Sequence, residues 1–513
     1  MFTGCILDDL VGEEISFIIN SFRIFDNNGF PAISIDFRTT GKIILELFDT
    51  DNICIDRDYF YSYDIAVLNM ASYKQTLKIG EYKLKVYDGD SNIIFKEKIH
   101  INDVNITIIN CNQENWEGND GTLLISLNFI IRNKGNFPIY PYSLNIDTGS
   151  ASIESYVLPC AIRSNSTSHV YCMSKIDRSL IRDTYNITIK DIDNNILISE
   201  SYNYEKNNFN SMKYEFNGKI FYLPDLGFLY DYYKNLERIK ENDYSFYVFD
   251  RYDECYLEFF IEQLIYTKYK NSDNFYSKSD SEKINFIASF VQDLQYKSDI
   301  TEDNSIDYPY YPVETLFERG GDCEDKAIFT ANLLLILGYN VSLLRLPNHM
   351  AVGINLSEEL TKFKYFINGY YFLETTTLGN NVGYIPKDYR SLSNISVYPL
   401  IPRPYIIHNW ENGIISIYQN TGQGDIVKVT SYIENLGNKT ADSVIFEGVF
   451  VIQGDIEINT ESKIIENIEP FQKKKATLTL LIPRDYDSKF KTRIYYNNKI
   501  VDEKESLSNF SYN

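Results

Sequence analysis

Seven cysteines in 513 residues are few. They are too sparse for a disulfide scaffold, and an odd number leaves at least one thiol unpaired. Cys5, Cys54, Cys111, Cys160, Cys172, Cys255 and Cys323 contain no C-x-x-C pair and no two residues at metal-ligand spacing. Cys160 and Cys172 flank a turn-like Arg163-Ser164-Asn165-Ser166 stretch; they would bridge two strands in an oxidising compartment, or stay as two buried thiols. Basic residues are scarce as well: 49 Lys and Arg stand against 71 Asp and Glu, for a formal net charge of −22. Such a surface repels phosphate backbones and excludes nucleic acid as the main partner.

Long apolar runs are missing. The best, Ile328 to Leu346, is broken by Asn332 and by Gly338-Tyr339-Asn340, so no membrane span is expected. Met1-Phe2-Thr3-Gly4-Cys5 has neither a basic region nor an apolar stretch and does not read as a signal peptide. Thr3-Gly4-Cys5 ends like a lipoprotein cleavage box; a start further upstream would make Cys5 a lipid anchor. The compartment stays open on these grounds, as does the oligomeric state.

What is abundant is aromatic and apolar surface. Hydrophobic residues make up 44%, with 43 Tyr and 32 Phe, which excludes a disordered or collagen-like chain because such surface must be buried. Length alone suggests three to four domains. Residues 1–102 read as short alternating strands between Asp/Asn/Gly turns, as in Lys42 to Phe48 and Glu81 to Tyr87, which indicates a β-sandwich. Residues 103–205 and 401–513 repeat the pattern, with Leu123 to Arg132 and Ser443 to Ile452 as examples. Residues 206–400 differ. Glu254 to Lys270 and Ser281 to Leu294 carry helical periodicity, the second through Ile284, Ile287, Ala288, Val291 and Leu294. An α+β domain flanked by sandwiches is expected, with the chemistry in the α+β unit.

The richest segment there is Arg319-Gly320-Gly321-Asp322-Cys323-Glu324-Asp325. Two glycines permit a tight turn, Asp322 is a good N-cap, and the helix that follows reaches about Leu337 before Gly338 stops it. Cys323 then sits at the positive end of a helix dipole, a position that lowers a thiol's pKa. Strands follow at Val341 to Leu346 and Ala351 to Leu356. An Asn368-Gly369 hairpin comes next, from Lys362 to Ile367 and from Tyr370 to Thr376. With only four histidines in the chain, His349 at a strand start and Glu374 on the hairpin place one imidazole and one carboxylate on a sheet facing the thiol. Nucleophile, base and orienter thereby become possible.

Gly320-Gly321-Asp322-Cys323-Glu324-Asp325, Leu346-Pro347-Asn348-His349-Met350-Ala351-Val352-Gly353 and Tyr370-Tyr371-Phe372-Leu373-Glu374-Thr375-Thr376 resemble the transglutaminase-like cysteine-protease superfamily, especially its archaeal multidomain members. Phe290 to Tyr296 and Tyr311 to Leu316 resemble that family's approach to its nucleophile. The resemblance covers about residues 206–390. It implies an α+β, papain-like core carrying Ig-like sandwich modules. It also implies Cys323 as nucleophile, His349 as general base and acid, and Glu374 as the third member, where the family more often has Asp. Gln292 or Tyr296 would help the backbone N–H of Cys323 line an oxyanion site. Asp322 and Glu324 flank the nucleophile as calcium-binding acids do in related bacterial cysteine peptidases; a cap and a dipole-favoured first-turn acid suffice for them, so neither metal nor cofactor is expected.

The implied activity is attack on a carboxamide or peptide carbonyl, an acyl-thioester, and its resolution by water or by an amine, with hydrolysis the family-wide default and a protein or peptide as substrate. The rival is a non-enzymatic binding or cell-surface adhesion protein built of sandwich modules around an inactive core.

Overall fold

In a computed structural model, the structure describes residues 15–60, 64–181, 184–204, 210–239, 242–269, 272–299, 308–392, 394–411, 416–420 and 424–511. Cys5 and the start of the first expected strand at Glu14 lie outside them. The chain divides into two compact units: Met1–Asn115 with Ile125–Asn208, and Trp116–Leu124 with Phe209–Asn513.

The first unit is built from antiparallel strands. One sheet orders Phe17–Asn27, Phe30–Thr39 and Asp64–Asn69; another orders Cys54–Phe60, Ile43–Phe48, Gly80–Asp88 and Ile93–Ile101. Alternation is visible in the central pair: Ile43, Leu45 and Leu47 are buried, as are Tyr82, Leu84 and Val86 on the paired strand. A four-stranded sheet of Ser152–Tyr156, Ser143–Asp147, Thr184–Lys190 and Ile196–Asn203 follows the same rule. Cys160 and Cys172 are both free thiols, and burial pushes that of Cys160 up to about 12.

The second unit carries the helices. They are α1 (Gly227–Lys234), α2 (Ser245–Val248), α3 (Glu254–Tyr269), α4 (Ser272–Tyr276), α5 (Asp280–Asp293), α6 (Pro312–Glu318) and α7 (Cys323–Ile336). α5 starts on a capping box in which Ser279 Oγ accepts from Glu282 N at 3.3 Å while Glu282 Oε2 accepts from Ser279 N at 3.2 Å. Of its predicted stripe, Ile284, Ile287, Ala288 and Val291 are buried, while Leu294 is the half-buried C-cap. α7 is buried on all sides from Glu324 to Leu334, with the polar Glu324, Asp325, Lys326, Thr330 and Asn332 among the apolar residues. Ala327 and Ala331 bring it against the strands Asn340–Leu346 and His349–Asn355.

Those strands belong to a five-stranded sheet ordered Phe366–Ile367, Tyr370–Leu373, His349–Asn355, Asn340–Leu346 and Ser396–Pro399. The expected hairpin is there, with Asn368 at φ 47° and Gly369 at φ 92°, the double positive of a type I′ turn. It is shorter than its pattern. Pairing stops at Leu373 because Glu374 turns the chain, its Oε1 accepting from Thr375 N at 3.1 Å and Thr376 N at 2.9 Å. Beyond residue 405 two sheets share one apolar cluster, including Val427, Val429 and Leu478 from one and Phe446, Phe490 and Ile494 from the other. Among the described residues no helix is long and apolar enough to cross a membrane.

Candidate functional site

Tight backbone geometry delivers Cys323. α6 ends on Arg319 in the left-handed region (φ 55°), and Gly320–Gly321 then pairs in parallel with Gln295–Tyr296. A Cβ on Gly320 would collide with the carbonyl oxygen of Gln295, and one on Gly321 with the side chain of Asp325. Both glycines are therefore demanded by close approach. Asp322 is the N-cap of α7 in extended conformation, and Asp325 Oδ2 accepts from its backbone N–H at 3.1 Å. Asp325, almost fully buried, also accepts from Tyr310 N at 2.7 Å. Cys323 is thus the first helical residue, where a backbone N–H has no intrahelical acceptor.

His349 opens its strand, which begins two residues earlier than the expected Ala351, and pairs with Leu346. The left-handed Asn348 (φ 58°) makes the turn between the two strands. Nε2 of His349 lies 2.9 Å from Oε2 of Glu374, which is 1% exposed. The second carboxylate oxygen takes Thr376 Oγ1 at 2.5 Å in addition to the two backbone N–H groups. Burial pushes the Glu374 carboxyl upward, but hydrogen bonds from His349 and Thr376 outweigh it and leave the group below the usual range.

The thiol does not behave as the helix start alone suggests. Burial, then the Glu324 carboxylate, then Asp322 push Cys323 well above an ordinary thiol, against only the backbone N–H of Met350. Oε2 of Glu324 accepts from Sγ at 3.1 Å. Desolvation beside two acids exceeds what a first-turn dipole returns, roughly 0.3–1 kcal/mol. The structure corrects the expected lowering: Cys323 rests as a neutral thiol, bonded to Glu324 and facing the residue that follows His349. Glu324→Gln removes that nearby negative charge, so the reactivity profile of Cys323 moves to lower pH. At pH 7 its alkylation by iodoacetamide is expected to rise on the order of tenfold, since each unit of pKa is a factor of ten in thiolate. Peptide mass spectrometry reads this, with exposed Cys54 as the internal reference.

Gln292 has a different task from the one its position implied. Its amide nitrogen donates to Glu374 O (2.7 Å) and Asn380 O (2.9 Å), and its oxygen accepts from Gly379 N (3.0 Å). Both amide hydrogens are engaged, so none is left for an oxyanion. Gln292 ties α5 to the chain leaving Glu374, and Asn285 Oδ1 extends the tie to Val382 N at 2.8 Å. Tyr296 is 55% exposed near Cys323, and burial above all raises its hydroxyl to about 12. Lys326, one turn of α7 on from the site and fully buried, donates to Leu294 O at 2.5 Å and holds the end of α5 to α7.

Tyr389 was not singled out from sequence. It sits on the 3-10 turn Lys387–Tyr389, and its ring stacks on His349 at 4.7 Å between centroids and 9° between planes. No spacing from a motif announces it, because the contact spans 40 residues.

Asp322, Cys323 and Glu324 offer ligand atoms within 4.8 Å of one another. A sulfur and two carboxylates do not fit calcium, which takes six to eight oxygens.

Residues 266–373 match the family model described as a transglutaminase-like domain. No curated protein matches the chain. Among solved structures, red sea bream transglutaminase is 10% identical over 78% of this chain and 84% of its own, with a TM-score of 0.22. A beta-galactosidase from Bacteroides fragilis is 16% identical over 33% of this chain, TM-score 0.16, and the exo-chitosanase of Amycolatopsis orientalis 10% over 35%, TM-score 0.15. The chain spans only 30% and 26% of the lengths of these last two. At such scores the structural likenesses carry no argument.

Proposed function

We propose that the transglutaminase-like domain at residues 266–373 makes this chain a thiol enzyme that cleaves or transfers acyl groups at amide bonds, with Cys323 as nucleophile, His349 as base and acid, and Glu374 as orienter. The observation that carries the reading is the bond between His349 Nε2 and the buried Glu374 carboxylate, which leaves Nδ1 as the nitrogen that takes a proton. The thiol rests neutral, so activation is by general base during attack. The Sγ–H proton passes to His349 Nδ1 as sulfur bonds to the carbonyl carbon and the C=O pair moves onto oxygen. Collapse of the tetrahedral species expels the amine, which carries off the proton from His349. The thioester then yields to water, deprotonated by the same nitrogen, or to a second amine. The oxyanion lies against the free N–H of Cys323, with the Tyr296 hydroxyl the side-chain donor within reach; Gln292 acts by holding the Glu374 segment.

In this reading residues 206–400 form the α+β, papain-like catalytic domain, and residues 1–102, 103–205 and 401–513 are Ig-like sandwich modules that present it to a protein or peptide. The paired sheets around one apolar cluster beyond residue 405 support the last of these.

A p-nitrophenyl ester supplies an activated acyl group without presupposing the natural substrate. A stoichiometric burst of nitrophenol is expected, with a hydroxylamine-sensitive acyl group mapped to the peptide of Cys323 and absent from Cys323→Ala and His349→Ala. Acylation spread over several cysteines, or unchanged in His349→Ala, overturns the reading in favour of an inactive adhesion core. Added glycine amide then reports whether water or an amine resolves the thioester.

A further inference from the structure

We infer that Tyr389 is a positioning residue that holds the His349 imidazole in one orientation by stacking on its face. The inference rests on the thiol-acyl reading above for its purpose, though not for its geometry. A ring nitrogen hydrogen-bonded to one carboxylate oxygen can still swing about the Cβ–Cγ bond; a parallel ring at 4.7 Å and 9° removes that freedom on one face. The same ring keeps water off the His349–Glu374 bond, which strengthens it. The electron-rich face of a phenol also favours the imidazolium that forms when the thiol proton arrives.

Tyr389 is itself anchored on the frame that carries His349. Its N–H donates to Pro386 O at 3.1 Å, its carbonyl accepts from Leu392 N at 3.2 Å, and Arg390 Nε donates to Ile385 O at 3.1 Å. Ile385 packs with Leu344, Leu346, Ala351 and Phe372 of the five-stranded sheet, and Tyr389 lies against that cluster. Imidazole and phenol therefore move as one body. The stretch between Glu374 and Tyr389 is pinned from the other side by Gln292 and Asn285. Burial, then the charge of Glu374, holds the Tyr389 hydroxyl above its usual range, so the phenol is neutral.

Tyr389→Phe keeps the aromatic face, while Tyr389→Leu keeps bulk without it. With only four histidines, 15N labelling of imidazoles resolves the His349 ring, assigned by its loss in His349→Ala. Wild type and Tyr389→Phe are expected to show a single tautomer protonated at Nε2, and Tyr389→Leu a mixture of tautomers. The acylation burst is expected to stay within about threefold in Tyr389→Phe and to fall on the order of tenfold in Tyr389→Leu, with KM unchanged. An imidazole spectrum in Tyr389→Leu identical to wild type overturns the inference. If wild type shows no burst, the enzymatic reading fails, and the spectrum still decides the role of Tyr389.

Discussion

Glu374→Gln is expected to lower the rate of acylation at Cys323 by roughly 10³- to 10⁴-fold while leaving the chain folded, a larger loss than Glu374→Ala suffers. The reason lies in which oxygen does what. Oε1 of Glu374 accepts three hydrogen bonds, from Thr375 N, Thr376 N and Thr376 Oγ1, while Oε2 faces His349 Nε2. A glutamine must put its carbonyl oxygen where the backbone donors are, since an NH2 there would confront N–H groups. Its amide nitrogen is then left facing His349 and can only donate. Nε2 becomes the acceptor, the ring proton moves to Nδ1, and the nitrogen that should take the thiol proton already carries one. Alanine removes the orienter without imposing the wrong tautomer, and an average of the two tautomers remains. Burst kinetics with the p-nitrophenyl ester measure the difference. A Gln variant faster than the Ala variant would sink the tautomer argument and leave Glu374 a structural acid. Because the Glu374 carboxyl lies below its usual range, its contribution to stability is present above the unfolded carboxylate range and is lost as pH falls through its own, lower value.

The parts of this site that depend on local chemistry were legible in the chain. Gly-Gly-Asp before Cys323 predicts a tight turn and a helix start; the helix start is present, while the turn falls on Arg319 and the two glycines run as a short strand in close contact with Gln295 and Asp325. Asn368-Gly369 predicted a hairpin and is one. What failed to show depends on groups far apart in sequence or on orientation. Gln292 finds its partners 82 to 88 residues away, which the resemblance that implies an oxyanion role for it does not report. Tyr389 meets His349 through a turn with no periodic signature. A helix start shows the dipole that lowers a thiol's pKa, whereas the depth of burial and the direction of Glu324, which raise it, are tertiary facts. The hairpin's length was overread for a related reason: Glu374 turns the chain with its own side chain, and alternation cannot report that.

Arg238→Met is expected to destabilise the helical unit by about 3–5 kcal/mol, the usual cost of breaking a buried ion pair from one side. Nη2 of Arg238 meets both oxygens of Glu314 at 2.6 and 2.7 Å, with side chains 7% and 2% exposed. Nη1 holds Tyr233 O and Leu236 O, and the guanidinium lies 4.2 Å over the ring of Tyr308. Removing the arginine strands Glu314 in α6, where Tyr311 N remains as a donor. The glutamate can escape by taking up a proton. Burial already holds its carboxyl above the usual range despite Arg238, and losing that neighbour raises it further. For a carboxyl raised in the folded state, the native chain binds the proton more readily than the unfolded one, so the variant's deficit shrinks as pH falls and grows as pH rises. Urea unfolding at two pH values reads this directly. Arg238→Met with Glu314→Leu should regain most of the loss, because the cost is the unpaired charge and not the missing attraction. The consequence reaches chemistry, since α6 ends at Glu318 and the next four residues, Arg319 to Asp322, lead straight into Cys323. A loosened α6 frees the Gly320–Gly321 pairing that precedes Cys323, so on the proposed function the acylation burst should slow in the single variant and recover in the double. A single variant as stable as wild type at neutral pH would show that Glu314 is already protonated and that the pair carries no charge.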